Sequence, residues 1–265
     1  MPPLDQLLAD LSAEGDALDG MLALERGAVW QRETPAVGWT IAHQIGHLAW
    51  TDEVALLAAT EPPAFTNVVA TATAELNQPG GLNTFVDLAA ERGAAGDRHV
   101  TLARWRSGRR ALIDALRAVP DGTKVPWFGP PMSVASMATA RIMETWAHGQ
   151  DIADALGVHR EPTGRLRHVA HLGVRTRDFS FAINGKTPPT EEFRIELTGP
   201  DSAPWCWGPD AAAQRVTGPA LDFCLLVTQR RNRANLAMTA TGSDAGAWLD
   251  IAQAFAGPPG KGRSA

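Results

Sequence analysis

The segment from Ser133 to Gly157 constrains the fold of this chain most, because it is helical in pattern and apolar around most of its circumference. Ser133 is a suitable N-cap for such a helix, and Gly157 is a suitable stop. Four polar residues recur inside it at steps of three, four and three, which places them on one stripe: Arg141, Glu144, His148 and Asp151. Such a stripe usually faces water, but here apolar Met143 and Trp146 flank it and keep it narrow. The pattern therefore favours a polar site within a helical bundle.

A second predicted helix, residues 40–59, carries a matching face. His43 and His47 lie on this face among apolar residues, namely Trp39, Trp50 and Val54. Glu144 and His148 form an i, i+4 pair whose side chains approach closely enough to bind one ion. With His47 they supply two imidazoles and one carboxylate, a set that leaves a position on the ion for water or substrate. We therefore expect one divalent metal ion bound by His47, Glu144 and His148, zinc being the metal that such mixed ligands favour.

Helical periodicity continues through the first 160 residues and then gives way to strand-like alternation after Pro162. The further predicted helices of the first part cover Leu4–Trp30, Ala64–Leu76, a stretch from about Thr84, and Asp97–Val119, with a break at Asn77–Gly81. The second part has predicted strands at Glu192–Leu197, Trp205–Trp207, Arg215–Thr217 and Asn235–Thr241, and helices at Pro219–Gln229 and Ala245–Phe255. We therefore expect a helical bundle over 1–160, an α+β domain over 161–257 and a flexible tail over 258–265.

Length and charge limit the class of protein. A chain of 265 residues favours two domains. The net charge of −5 argues against nucleic acid or an anionic membrane as the main partner. No stretch approaches the ~20 apolar residues that span a bilayer, and the first residues lack the basic start of a signal peptide. We expect a cytoplasmic monomer or homodimer with small-molecule partners, in which Cys206 and Cys224 are reduced.

Two motifs resemble a known family. The segment GWTIAHQIGHLAW, with Trp39 eight residues before His47, resembles one metal-binding helix of the DinB-like superfamily. METWAHGQDIADALG, at Met143 to Gly157, resembles the other, and together they resemble the mycothiol-dependent maleylpyruvate isomerase group. VTGPALDFCLLVTQRR and DIAQAFAGPPGKGR resemble an actinobacterial branch of that group. The resemblance covers nearly the whole chain.

The resemblance implies a fold and a set of site residues. The fold class is α+β: an all-α DinB-like four-helix bundle followed by a smaller α+β domain that resembles sterol carrier protein. His47, Glu144 and His148 become the metal ligands, with a water as the fourth. An arginine of the second domain is implicated in activity, and Arg230 or Arg231 is the nearest match. A solvated helix terminus, where arginine favours the dipole, explains that pair equally well.

Two further side chains have open roles. His43 is either a base close to the metal ligands or a polar residue at the mouth of the bundle. Asp151 is either an acceptor that fixes the tautomer of a ligand imidazole or a member of an exposed ion pair.

The implied function is that of a divalent-metal-dependent enzyme with mycothiol as its thiol cosubstrate, acting on a small electrophile as an isomerase or an S-transferase. A metal-dependent hydrolase and a non-catalytic, metal-stabilised ligand-binding module remain alternatives, and the sequence does not separate them.

Overall fold

The structure, a computed structural model, describes residues 2–23, 29–76 and 81–265. The chain divides into two compact units, Met1–Arg160 and Glu161–Ala265. Over its described residues the first unit is built of helices with one short hairpin and one isolated bridge, and the second combines helices with a four-stranded sheet. The predicted α+β class is therefore confirmed, whereas the likeness of the second unit to sterol carrier protein stays a prediction. Within the described ranges, no helix combines the length and apolarity that a membrane crossing requires.

The helices of the first unit follow the predicted periodicity closely. They are α1 Leu4–Ala23, α2 Ile41–Thr60, α3 Pro62–Leu76, α4 Gly81–Ala94, α5 Arg98–Ala118 and α6 Val134–Leu156. A two-stranded hairpin, β1 Lys124–Val125 with β2 Met132–Ser133, was not predicted. Local caps explain the accurate helix ends. The Asp97 side chain accepts from the backbone N–H groups of His99 and Val100, Ser133 accepts from that of Ser136, and Gly157 stops α6 with φ 69°.

Two predicted boundaries in this unit are wrong. The first helix was expected to reach Trp30, but Val29 and Trp30 form a turn. The Trp30 carbonyl accepts the Ala42 N–H at 2.9 Å, so this turn leads the chain into α2. Gly81 was expected to belong to a break, but it begins α4. The rest of that predicted break, residues 77–80, lies outside the described residues.

Helix α2 is central to the first unit. It packs against α4, α5 and α6, while α1 packs against α5 and α6 and α3 covers α2 and α4. The core between these helices consists of large apolar side chains and includes Leu18, Ile41, Ile45, Leu48, Leu102, Trp105 and Ile152. Removing each from water stabilises the fold by about 1.5–3 kcal/mol. Because α2 has neighbours on most sides, polar residues on it are carried into the protein interior.

The second unit is built around a mixed sheet. Its elements are α7 Leu166–Arg175, α8 Arg177–Ile183, β3 Phe193–Thr198, β4 Pro204–Trp207, β5 Gln214–Pro219, α9 Ala220–Val227, β6 Thr239–Thr241 and α10 Ser243–Ile251. The strand order is β4-β3-β5-β6, with β3 and β5 parallel and the outer pairs antiparallel. Helices α7 and α8 were not predicted. The last strand begins at Thr239 rather than at Asn235, which instead ends a 3-10 turn, and α10 ends at Ile251 rather than Phe255.

The last residues of the chain are hydrogen bonded to other parts of the second unit. The Gly260 N–H donates to Oε1 of Gln253 at 3.2 Å, and the Asn232 side chain donates to the Arg263 carbonyl at 2.8 Å. The predicted flexible tail is therefore hydrogen bonded to its own unit in this structure. Cys206 is exposed, Cys224 is buried, and both are free thiols.

Candidate metal centre

Three side chains from two helices converge in the first unit. His47 lies in the middle of α2, and Glu144 and His148 lie one turn apart on α6. Their possible ligand atoms are all within 4.8 Å of one another. Nε2 of His47 is 3.3 Å and Nε2 of His148 is 3.2 Å from the same oxygen, Oε2 of Glu144. The structure thus brings together the three residues that the sequence pattern selected.

The cluster is largely shielded from solvent. The side chains of His47, His148 and Glu144 are 8%, 13% and 23% exposed. Burial alone would raise the pKa of Glu144, but hydrogen bonds and charge from His148 and His47 outweigh it and hold that pKa well below its usual range. Glu144 is therefore a carboxylate at neutral pH, which is the form that binds a cation.

A relay of hydrogen bonds fixes the orientation of His148. The Thr34 hydroxyl lies 2.7 Å from the Trp39 carbonyl, which only accepts, so the hydroxyl donates there. Gln44 Nε2 lies 2.9 Å from the same hydroxyl and must be the donor to it. This turns Gln44 Oε1 towards Nδ1 of His148, with which it forms a short contact. Because Oε1 only accepts, Nδ1 of His148 carries a proton.

The donor set fits a divalent ion. In the neutral form with its proton on Nδ1, His148 would turn the lone pair of Nε2 towards the Glu144 carboxylate, and a bound cation would then replace the Nε2 proton that hydrogen bonds to Glu144. Two electron-rich atoms at 3.2 Å require a proton or a cation between them. The distances of 3.2 and 3.3 Å match the roughly 3.3 Å edge of a tetrahedron with metal–ligand bonds of ~2.0 Å. The two imidazoles and the carboxylate could therefore hold zinc.

Two tryptophans pack against the ligand imidazoles. The Trp39 ring stacks on His148 at 5.9 Å and 18° and lies 5.3 Å from the His47 ring. Its Nε1–H donates to Oδ1 of Asp87 on α4 at 2.9 Å. The Trp50 ring also lies 5.9 Å from the His47 ring. These contacts restrict rotation of both imidazoles, which favours a preformed site.

An aromatic row continues from the site towards the hairpin. Trp50 meets Phe85 edge-on at 5.3 Å, and Phe85 meets Phe128 at 6.2 Å. Phe128 also contacts Phe65 and Trp127 and is itself 38% exposed. Of these residues the sequence analysis placed only Trp50 beside the predicted site, because the others come from three further segments of the chain. The row gives the metal centre an apolar flank that reaches solvent.

A buried ion pair joins α2 to α6 one turn away from the ligands. Arg141 Nε donates to Oδ1 of Asp52 at 2.9 Å, and its Nη2 donates to the Thr51 hydroxyl at 2.7 Å. That hydroxyl in turn donates to the His47 carbonyl at 3.0 Å. Burial raises the pKa of Asp52, although Arg141 opposes the rise. The first residue of the predicted stripe therefore ties the two ligand-bearing helices together.

The other predicted site residues lie outside the ligand cluster. His43 caps α2, because its Nδ1 accepts the Thr40 N–H at 3.2 Å. Asp151 is fully buried, and the side chain that accepts from Nδ1 of His148 is that of Gln44, a residue the sequence analysis missed. The position of Gln44 one helical turn before His47, on a helix that is largely apolar, could have indicated this role from the sequence. The roles predicted for His43 and Asp151 stay predictions.

Arg230 and Arg231 lie in the second unit, just after α9. Their Nη1 atoms donate to the backbone carbonyls of Thr228 and Arg230, respectively, each at 2.7 Å. Both side chains are half-buried. Participation of either arginine in the site stays a prediction.

Comparisons with known proteins agree with these motifs. Two uncharacterised proteins from strains of Mycobacterium tuberculosis are each 58% identical over 256 residues, which is 97% of this chain and of each relative. Crystal structures of mycothiol-dependent maleylpyruvate isomerase and of a mutant of it share the fold, with TM-scores of 0.58 and 0.60 at 18% and 15% identity. In both comparisons the aligned region covers 90% of this chain and 93% of the isomerase chain.

Two family models match separate parts of the chain. Residues 189–241 match a model described as wyosine base formation. Residues 11–153 match the mycothiol maleylpyruvate isomerase N-terminal domain, and this match includes all three residues of the cluster. Because that match spans more than half of the chain, the protein belongs to the mycothiol maleylpyruvate isomerase family.

Proposed function

We propose that this protein is a divalent-metal-dependent enzyme that uses mycothiol as a thiol cosubstrate and acts on a small electrophile. The observation that carries the proposal is the cluster of His47, Glu144 and His148, a three-donor set in a chain of this family. Zinc is the metal that two imidazoles and one carboxylate favour. Isomerisation is the reaction that the family relationship supports best.

The charges of the ligands suit an anionic fourth partner. His47 and His148 bind as neutral imidazoles, and Glu144 contributes a single negative charge. The three side chains therefore leave part of the charge of a divalent ion uncompensated. Such an ion lowers the pKa of a bound thiol, as it does for water, and so supplies thiolate at neutral pH.

The remaining side chains suit the addition of that thiolate to an unsaturated carbon. In such a reaction a carbon–sulfur bond forms while the π electrons shift to a conjugated carbonyl oxygen. Addition turns the carbon–carbon double bond into a single bond. Rotation about that carbon–carbon bond, followed by expulsion of the thiolate, gives the isomer, whereas protonation of the adduct gives a conjugate. Trp50, whose ring lies 5.9 Å from the His47 ring, offers apolar surface that would limit water beside the ligands.

Cobalt(II) in place of zinc tests the proposal directly. Adding mycothiol to the cobalt-loaded protein should produce a thiolate-to-metal charge-transfer band, and binding should tighten as pH rises towards the thiol pKa. The S-methylated thiol is the matched control, since it has no proton to lose and should give no such band. If metal-loaded protein shows no sulfur ligation at saturating thiol, the thiol mechanism is wrong. Turnover without thiol would then identify a hydrolase. Absence of both sulfur ligation and thiol-independent turnover would indicate a binding module.

A further inference from the structure

The two ligand imidazoles are oriented in different ways. Nδ1 of His47 has no hydrogen-bond partner among the described residues, and its ring is held by packing against Trp39 and Trp50. Nδ1 of His148 instead faces Gln44, the first link of the relay that runs through Thr34 to the Trp39 carbonyl. Only His148 therefore has a polar group that can choose between its tautomers.

The position of each proton in the relay follows from the acceptor at its end, the Trp39 carbonyl. The Trp39 carbonyl also accepts the Thr34 N–H at 2.8 Å, so the loop is closed at both the backbone and the side chain of Thr34. A flipped Gln44 amide would place Oε1 against the oxygen of a hydroxyl whose proton is already committed. It would also turn its NH₂ towards Nδ1 of His148, which would then have to accept and carry the ring proton on Nε2 instead. Because Gln44 is fully buried, bulk solvent cannot relieve the clash between Oε1 and the Thr34 hydroxyl.

We propose that Gln44 is a positioning residue that acts through His148. Together with Thr34, it fixes the tautomer with the proton on Nδ1 and the lone pair on Nε2, aimed at the site shared with His47 and Glu144. The same loop presents Trp39, which stacks on the His148 ring, so one short segment sets both the tautomer and the plane of this ligand. The inference rests on the proposed metal site and deepens it.

The test compares zinc affinity in the full-length protein, without thiol or substrate. Gln44→Leu removes the acceptor for Nδ1 and should weaken zinc binding by about 10- to 100-fold, the usual effect of losing a partner of a ligand histidine. Gln44→Glu keeps an acceptor oxygen at Nδ1 but places a second oxygen beside the Thr34 hydroxyl, so its zinc affinity should lie between those of the parent and Gln44→Leu. Gln150→Leu on α6 is the matched control, because Gln150 is also buried and donates to Asp154 at 2.9 Å away from the ligands.

A second pair of variants breaks the relay one link further away. Thr34→Val leaves the Gln44 amide free to flip and should weaken zinc binding, whereas Thr34→Ser keeps the hydroxyl and should not. In the zinc-loaded parent, the ¹⁵N shifts of His148 should show a protonated Nδ1 and a metal-bound Nε2. These shifts report the tautomer itself, which a loss of stability would not change.

The outcomes separate this inference from the proposed function. If the parent binds no divalent metal, the proposed function fails. If the parent binds zinc and Gln44→Leu binds it as tightly as Gln150→Leu does, only the role of Gln44 is wrong. Coordination of zinc by Nδ1 of His148 would also show that the role of Gln44 is wrong. Weakened binding in Gln44→Leu and Thr34→Val, with partial recovery in Gln44→Glu and parent-like binding in Thr34→Ser, would establish the role of Gln44.

Discussion

At the scale of single residues, His43 and His47 show what a face pattern can and cannot distinguish. They are four residues apart on one side of α2, so periodicity treats them alike. The structure separates them, because His43 accepts from the start of its own helix whereas His47 faces Glu144 on α6. The difference lies in the position of the helix start, to which only His43 is close enough to serve as a cap.

This contrast gives a matched pair of substitutions on one helix. His47→Ala should abolish tight zinc binding and leave the helical circular dichroism signal unchanged, because the core of the first unit does not depend on the metal. His43→Ala should still bind about one zinc and lose about 0.5–2 kcal/mol of stability with its cap. Elemental analysis and urea unfolding measure the two effects. Equal zinc content in both variants would contradict the assignment.

The pair Arg141–Asp52 is the second feature at this scale that can be tested. Arg141→Met leaves the Asp52 carboxylate buried without its guanidinium and should cost about 3–5 kcal/mol in the free energy of unfolding. Adding Asp52→Asn should recover much of that loss, because no uncompensated charge then remains. A double-mutant cycle in urea measures the coupling. A single-variant cost below about 1 kcal/mol would show that the pair does not tie α2 to α6.

At the scale of elements, what the sequence predicts depends on how local the signals are. Asp97 and Ser133 cap the helices that follow them, and both helices were placed to within a residue or two. Helix α7 begins at Leu166 without a cap from the Arg165 side chain, and α8 follows almost directly after α7, so neither helix has a clear boundary in the sequence. The relay to His148 joins residues 10 and 104 positions apart, and no local pattern reveals it.

The crossing of α2 and α4 is an element-scale feature with a direct test. A Cβ on Gly46 would lie 2.9 Å from both the Ala90 carbonyl oxygen and the Cα of Gly93, so the helices touch through their backbones. Gly46→Ala should therefore cost about 1–3 kcal/mol and also weaken zinc binding, since His47 is the next residue. Gly20→Ala in α1 is the control, because nothing lies within 4 Å of its added Cβ. That variant should gain up to ~1 kcal/mol in urea unfolding.

At the scale of the whole molecule, the three candidate ligands and the relay to His148 belong to one unit. His47, Glu144 and His148 all lie within Met1–Arg160, as do Gln44 and Thr34. Arg230 and Arg231, the arginines proposed to take part in activity, belong to the other unit. Metal binding and turnover should therefore separate when the chain is divided.

The place of division matters because Arg160 stabilises the first unit. Its Nη2 donates to Oε1 of buried Glu14 at 2.6 Å, and its Nη1 donates to the Trp146 carbonyl at 2.8 Å. A fragment of residues 1–160 keeps these bonds and should bind one zinc as tightly as the full chain, while losing thiol-dependent turnover. The same fragment with Arg160→Met deprives Glu14 of its guanidinium and should be about 3–5 kcal/mol less stable in urea. Zinc titration and unfolding of both fragments test this, and a zinc affinity in the 1–160 fragment well below that of the full chain would mean that the second unit helps to build the metal centre.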